Sequence, residues 1–108
     1  QWYEIDDLVK NNEFILDVRE EYEVANGSIP NTVNIPLGQL RKRLNEIPKD
    51  KKIYVCCQVG LRGYIACTIL NQYGYNTSNI DGGYKTYSSI KNSESLVKAQ
   101  DKSVEVTL

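Results

Sequence analysis

A chain of 108 residues and 12.3 kDa is the size of one compact domain and long enough to bury a core without disulfide or metal staples. Lys and Arg total 13 against 14 Asp and Glu, a net charge of -1, which argues against nucleic acid or an anionic membrane as a general partner. There is no histidine, so Ser-His-Asp and Cys-His catalysis are excluded, as is any zinc site that needs imidazole.

No apolar run approaches a membrane span and no basic-then-apolar leader opens the chain, so neither a transmembrane helix nor a secretory signal is expected. Cys56, Cys57 and Cys67 are odd in number and two are adjacent, which makes a poor disulfide framework and predicts a reduced, cytoplasmic setting. Methionine is absent and the first residue is Gln1, so the expectation is a segment of a longer protein.

In chain order, Ile5, Leu8 and Val9 recur at helical spacing after acidic residues suited to a first turn. Phe14 to Val18 reads as a buried strand, and the polar stretch Glu20 to Ser28 holds a turn of helix around Tyr22 to Ala25. Val33 to Ile35 is a second short strand between Pro30 and Pro36. Leu37, Leu40, Leu44 and Ile47 mark one face of a helix whose Arg41, Lys42 and Arg43 form a solvated face, and Pro48 stops it.

Ile53 to Cys57 has the β-rich character of a central strand. Tyr64, Ile65, Thr68, Ile69 and Tyr73 then predict the apolar face of a helix from Gly63 to Tyr73, closed by Gly74. Thr77 to Ile80 is an edge-like strand, Gly82 and Gly83 a turn, and Tyr84 to Ile90 a last short helix; Val104, Val106 and Leu108 alternate as in a strand. Residues 1–90 are read as one domain and 91–108 as an extension or linker. Strands alternating with helices predict an α/β fold with a parallel sheet wrapped by helices.

The informative unit is IYVCCQVGLRGYIAC, residues 53–67: strand, tight glycine-containing loop, helix. Ligands gather where strand C-termini meet helix N-termini in such sheets, which is where Cys57 lies. The loop from Gln58 to Gly63, through Val59, Gly60 and Leu61, can turn its N–H groups inward as an anion nest, and Arg62 adds a full positive charge. Without a histidine, a thiol must be brought down from a pKa of about 8.5, at about 1.4 kcal/mol per unit. A helix terminus offers roughly 0.3 to 1 kcal/mol, so the amides and Arg62 must supply the rest.

Two frames compete. From Cys56 the spacing is Cys-x5-Arg, the seven-residue ring of thiolate phosphatases, with room for phosphate or arsenate. From Cys57 the ring is one residue shorter and fits a single terminal sulfur atom. Burial in the strand disfavours a Cys56 thiolate, which leaves Cys57 the better nucleophile.

The chain resembles the rhodanese family over nearly all of residues 2–87. LDVREEYEVANGSIPNTVNIPL, residues 16–37, is similar to that family's Asp-Val-Arg, Gly-His-Ile-Pro and Asn-Ile-Pro stretch. CQVGLRG, residues 57–63, resembles its active-site loop, and DGGYKTY, residues 81–87, its Gly-Gly closing turn. QVGLRGY together with GGYKTY resembles most the rhodanese domain fused behind coenzyme A disulfide reductases and NADH oxidase-like pyridine nucleotide-disulfide oxidoreductases. The resemblance implies a central parallel sheet of about four to five strands with helices on both faces.

It also implies a function. A Cys57 thiolate would take the sulfane sulfur of a persulfide, polysulfide, coenzyme A persulfide or thiosulfate and hand it to a thiol acceptor, in two steps of nucleophilic catalysis. Gln58, Val59, Gly60, Leu61 and Gly63 would form the loop around that sulfur, and Asp17 and Arg19 would support it as an ion pair. No cofactor or metal is expected in this domain. FAD, NAD(P)H and coenzyme A would belong to a flavin disulfide reductase module in the same polypeptide. Ser28, Asn31, Gln58, Gly63 and Tyr87 depart from common family residues. With Gln58 in place of an arginine, a single arginine serves the loop, which disfavours a strongly anionic donor. The competing readings are a phosphatase or arsenate reductase using Cys56, and a non-catalytic interaction module.

Overall fold

The elements are α1 (Trp2–Lys10), β1 (Phe14–Asp17), α2 (Glu21–Ala25), β2 (Val33–Asn34), a 3-10 segment (Leu37–Glu46), β3 (Ile53–Cys56), α3 (Leu61–Gln72), β4 (Thr77–Asn79) and α4 (Gly83–Thr107). The computed structural model describes the backbone of residues 2–80 and 82–107 and the side chains of residues 4–80 and 82–95. The four strands are parallel, in the order β2-β1-β3-β4. This is the α/β architecture expected, with four strands.

Side-chain alternation sends successive residues of a strand to opposite faces, and each face here has its own apolar layer. Leu16, Val18, Ile53, Val55 and Cys57 pack with Leu40 and with Ala66, Cys67 and Leu70 of α3. Ile15 and Cys56 pack on the other side with Ile5 of α1, Ile29, Ile80 and Tyr87 of α4. Burial on both faces explains why β1 and β3 read as continuous apolar runs. Asp17 pairs in register with both Asn34 and Cys56, and Asn79 with Val55, so polar residues gather at the C-terminal edge of the sheet.

Three expectations need correction. First, α3 begins at Leu61, two residues earlier than expected, and buries Gly63, Ala66, Cys67, Ile69 and Leu70. Tyr64 and Ile65 are 67% and 41% exposed, so of the expected apolar face only Ile69 points inward. Gly63, Ala66 and Cys67 are small, which lets the first half of the helix lie close to the sheet, while Tyr64 and Ile65 sit outside and Ile69 and Leu70 are buried further along. Second, Leu37–Glu46 is a 3-10 segment, with Arg43 outside helical geometry at φ -118 and ψ 22; Leu40 is its buried anchor.

Third, α4 continues to Thr107, so Val104 and Val106 lie on a helix rather than a strand. No Gly or Pro follows Gly83, so nothing interrupts the helix. Leu108 lies outside the described residues, as does Asp81 of the expected closing turn. Among the described residues, no helix is long and apolar enough to cross a membrane.

Candidate active site

All three cysteines are free and buried, but they stand in different surroundings. Cys57 comes directly after the last residue of β3 and faces the α3 layer. The chain then turns through Gln58 and Val59 to Gly60, the N-cap of α3, which adopts φ 111. Only glycine takes that conformation without strain. Of the loop amides from Gln58 to Gly63 expected to face the sulfur, the Gly60 N–H donates to Cys57 Sγ at 2.9 Å. Cys57 itself is 1% exposed.

The loop is held from three directions. At its start, the Tyr84 N–H donates to Cys57 O at 2.7 Å and the Lys85 N–H to Gln58 O at 3.0 Å, so the first turn of α4 grips the backbone. A Cβ on Gly83 would overlap Cys57 O, which is why the approach requires glycine there. At its end, Asn79 Nδ2 donates to Gly60 O at 2.9 Å. The Asn79 side chain also lies where a Cβ on Gly63 would be. Gly63 therefore lets the first turn of α3 lie against Asn79.

Beneath the loop lies the Asp17–Arg19 pair, buried at 0% and 1% exposure. Arg19 Nη2 and Nε reach the Asp17 carboxylate at 2.8 and 3.0 Å. Nη2 also donates to Gly27 O at 2.9 Å, Nη1 to Gln58 Oε1 at 3.2 Å, and the guanidinium sits 4.3 Å from the Tyr84 ring centroid. The pair is a bracket joining β1, the α2–β2 connection, the loop and α4. Burial alone would lower the Arg19 pKa, but the hydrogen bonds and charge of Asp17 outweigh it and raise it.

Arg62, expected to lend its charge to the cysteine loop, interacts electrostatically with Cys57 and has Glu23 as its direct partner. Its guanidinium makes a parallel two-bond pair with Glu23 of α2, Nη1 to Oε1 at 2.6 Å and Nη2 to Oε2 at 2.9 Å. Those hydrogen bonds hold the Glu23 carboxyl down at about 2. Val59 and Leu61 turn their side chains to solvent, 59% and 68% exposed.

Cys56 faces the α1 and α4 layer. Burial, then the charge of Asp17, pushes its thiol up to about 12. The seven-residue frame from Cys56 is thus not what the fold assembles around the loop. Cys67 lies in the α3 layer, and burial raises its pKa too.

Sequence reasoning did not find Glu23, Asn79 or the α4 amides. Glu23 reads as a favourable acidic residue in the first turn of a helix, and it does accept the Glu20 N–H at 3.1 Å. Its partner is 39 residues away. Gly82-Gly83 was the available signal for the α4 contact.

A cysteine at the C-terminal edge of a parallel sheet, followed by a short glycine loop and a helix N-terminus, defines a class of α/β domains. Within that class the chain belongs to the rhodanese-like domain family, whose family model matches residues 2–90. It is 39% identical over 70 residues to a sulfurtransferase of Allochromatium vinosum, a match covering 64% of this chain and 65% of that protein. Among solved structures it is similar to the reduced CoADR-RHD of Bacillus anthracis, at 50% identity and a TM-score of 0.77, covering 81% of this chain and 16% of that one. It is also similar to a NAD-dependent persulfide reductase of A. fulgidus, at 40% identity and a TM-score of 0.60, covering 68% of this chain and 14% of that one. The chain thus spans a small part of these two solved proteins.

Proposed function

We propose that this is a sulfurtransferase domain that carries sulfane sulfur on Cys57. The Cys57 thiolate attacks the outer sulfur of a donor R–S–SH, the donor's S–S bond breaks, R–S⁻ leaves, and Cys57–S–SH remains. An acceptor thiolate then attacks that outer sulfur and Cys57 leaves as a thiolate, so the cycle needs no outside oxidant or reductant. Gly60 supplies an N–H to the sulfur, Val59 and Leu61 flank the entrance, Gln58 links the loop to Arg19, and the Asp17–Arg19 bracket keeps the loop in place.

The observation that carries the reading is the Gly60 N–H on Cys57 Sγ at 2.9 Å, with Cys56 facing the opposite layer. Incubation with an alkyl persulfide and then peptide mapping tests it. The peptide mass is expected to gain one sulfur atom on Cys57, and gain confined to Cys56 would overturn the assignment.

The same reading extends to context. Residues 1–90 form the transfer domain and 91–108 a C-terminal extension or linker, with donors drawn from persulfides, polysulfides, coenzyme A persulfide or thiosulfate. The domain works in the cytoplasm in one polypeptide with a flavin disulfide reductase that binds FAD, NAD(P)H and coenzyme A. The likeness to CoADR-RHD and to a persulfide reductase supports this. A native protein isolated with a flavin spectrum is expected; a native chain of this domain alone would overturn the context.

A further inference from the structure

Resting on the sulfurtransferase reading, we propose that Glu23 is a specificity-determining residue: it occupies the Arg62 guanidinium and turns the Cys57 site away from anionic donors, toward sulfur carried on an uncharged, apolar body. The two Arg62–Glu23 bonds, 2.6 and 2.9 Å, are the fork-to-fork geometry a guanidinium would otherwise offer to a sulfonate or similar anion. Glu23 is held ready for this by the Glu20 N–H at 3.1 Å. Its carboxyl is kept down at about 2, so it stays charged and in place throughout the neutral range.

The nearby charges leave little for an anion. Arg19 is committed to Asp17, Gly27 and Gln58. Lys85, whose N–H grips the loop, is exposed, where water screens its charge. In and beside the loop, by contrast, Tyr22, Val59 and Leu61 are 70%, 59% and 68% exposed. Tyr22 precedes Glu23, and Val59 and Leu61 flank Gly60. Exposed apolar side chains next to a guanidinium already paired with a carboxylate fit an apolar donor better than a small dianion.

Thiosulfate and an alkyl persulfide deliver the same atom: Cys57–S⁻ + S₂O₃²⁻ gives Cys57–S–S⁻ + SO₃²⁻, and Cys57–S⁻ + R–S–SH gives Cys57–S–SH + R–S⁻. Glu23→Gln removes the competing charge. The ratio of kcat/KM for thiosulfate, a dianion, over an alkyl persulfide, at most a monoanion, is expected to rise roughly tenfold, the scale of one charge-assisted hydrogen bond. Adding Arg62→Gln to that variant is expected to return the ratio to its original value. A purely structural Glu23 would lower both donors together and leave the ratio unmoved, which would overturn the proposal.

Alkylation of Cys57 by iodoacetate against iodoacetamide gives a readout independent of sulfur transfer, with Glu23→Gln expected to favour the anion by a similar factor. If that ratio shifts while no donor loads sulfur, the sulfurtransferase reading fails and the charge role of Glu23 stands; if the ratio is unchanged, the Glu23 role fails. Glu23→Ala replaces Glu23→Gln should the latter not fold.

Discussion

Cys56 and Cys57 are neighbours in the chain, yet they stand on opposite faces of one sheet and in opposite chemical surroundings. Cys56 lies among Ile5, Ile15, Ile80 and Tyr87, where burial and the Asp17 carboxylate outweigh the Arg19 charge and the Tyr84 N–H and push its thiol up to about 12. Cys57 lies one residue beyond the strand, under the Gly60 N–H and at the start of α3. The difference teaches that the surroundings of each thiol are not set by a Cys-Cys pair or by spacing to an arginine. They arise from the period-2 alternation of a strand and from which face the next helix covers.

The largest expected effect separates the two thiols. Cys57→Ser should lower sulfur loading by about three orders of magnitude, because Cys57 is the thiol that receives the Gly60 N–H. Cys56→Ala should leave loading within about twofold while costing about 1 kcal/mol of stability from the small cavity. Rates of persulfide formation and urea midpoints check the pair, and equal losses in both variants would break the contrast. Next, Asp17→Asn leaves Arg19 buried with its charge uncompensated, and unfolding should become easier by about 3–5 kcal/mol. Gly83→Ala comes after it, at about 1–3 kcal/mol, because the residue holds φ 57 and its Cβ would meet Cys57 O. Its sulfur loading should also slow, since the loop begins at that carbonyl.

The sheet and its order of elements were legible because the strands are short apolar runs bounded by Pro, Gly and charge, as at Phe14–Asp17 and Ile53–Cys56. The loop from Cys57 to Gly60 was legible because glycine at a strand-to-helix junction has few other uses. The buried face of α3 was not, because its inward residues Gly63 and Ala66 carry little hydrophobic signal, whereas the exposed Tyr64 and Ile65 carry much. Nor was the pairing of Arg62. A side-chain fork reaching Glu23, 39 residues away, leaves no local periodicity, and only the packing of α2 beside α3's first turn brings the two together. Asn79 is similar: its bond to Gly60 O depends on β4 lying next to β3.

The smallest expected effect sharpens the same comparison for the two ion pairs of the site. Asp17–Arg19 is sealed, with side chains 0% and 2% exposed, whereas Glu23–Arg62 stands at 19% and 34% and contributes modestly at neutral pH. Arg62's hydrogen bonds lower Glu23 from 4.5 to about 2 in the folded chain. A depressed carboxyl means that the unfolded chain takes up the proton first on acidification. The stability from this pair is therefore present above about pH 4.5 and is lost as pH falls from there toward about 2. Glu23→Gln should flatten the acid limb over that window while moving the neutral-pH urea midpoint little. Urea midpoints measured in steps across the window check it, and an unchanged acid slope in Glu23→Gln would mean that Arg62 is not held by Glu23 in solution and is free to face the cysteine loop.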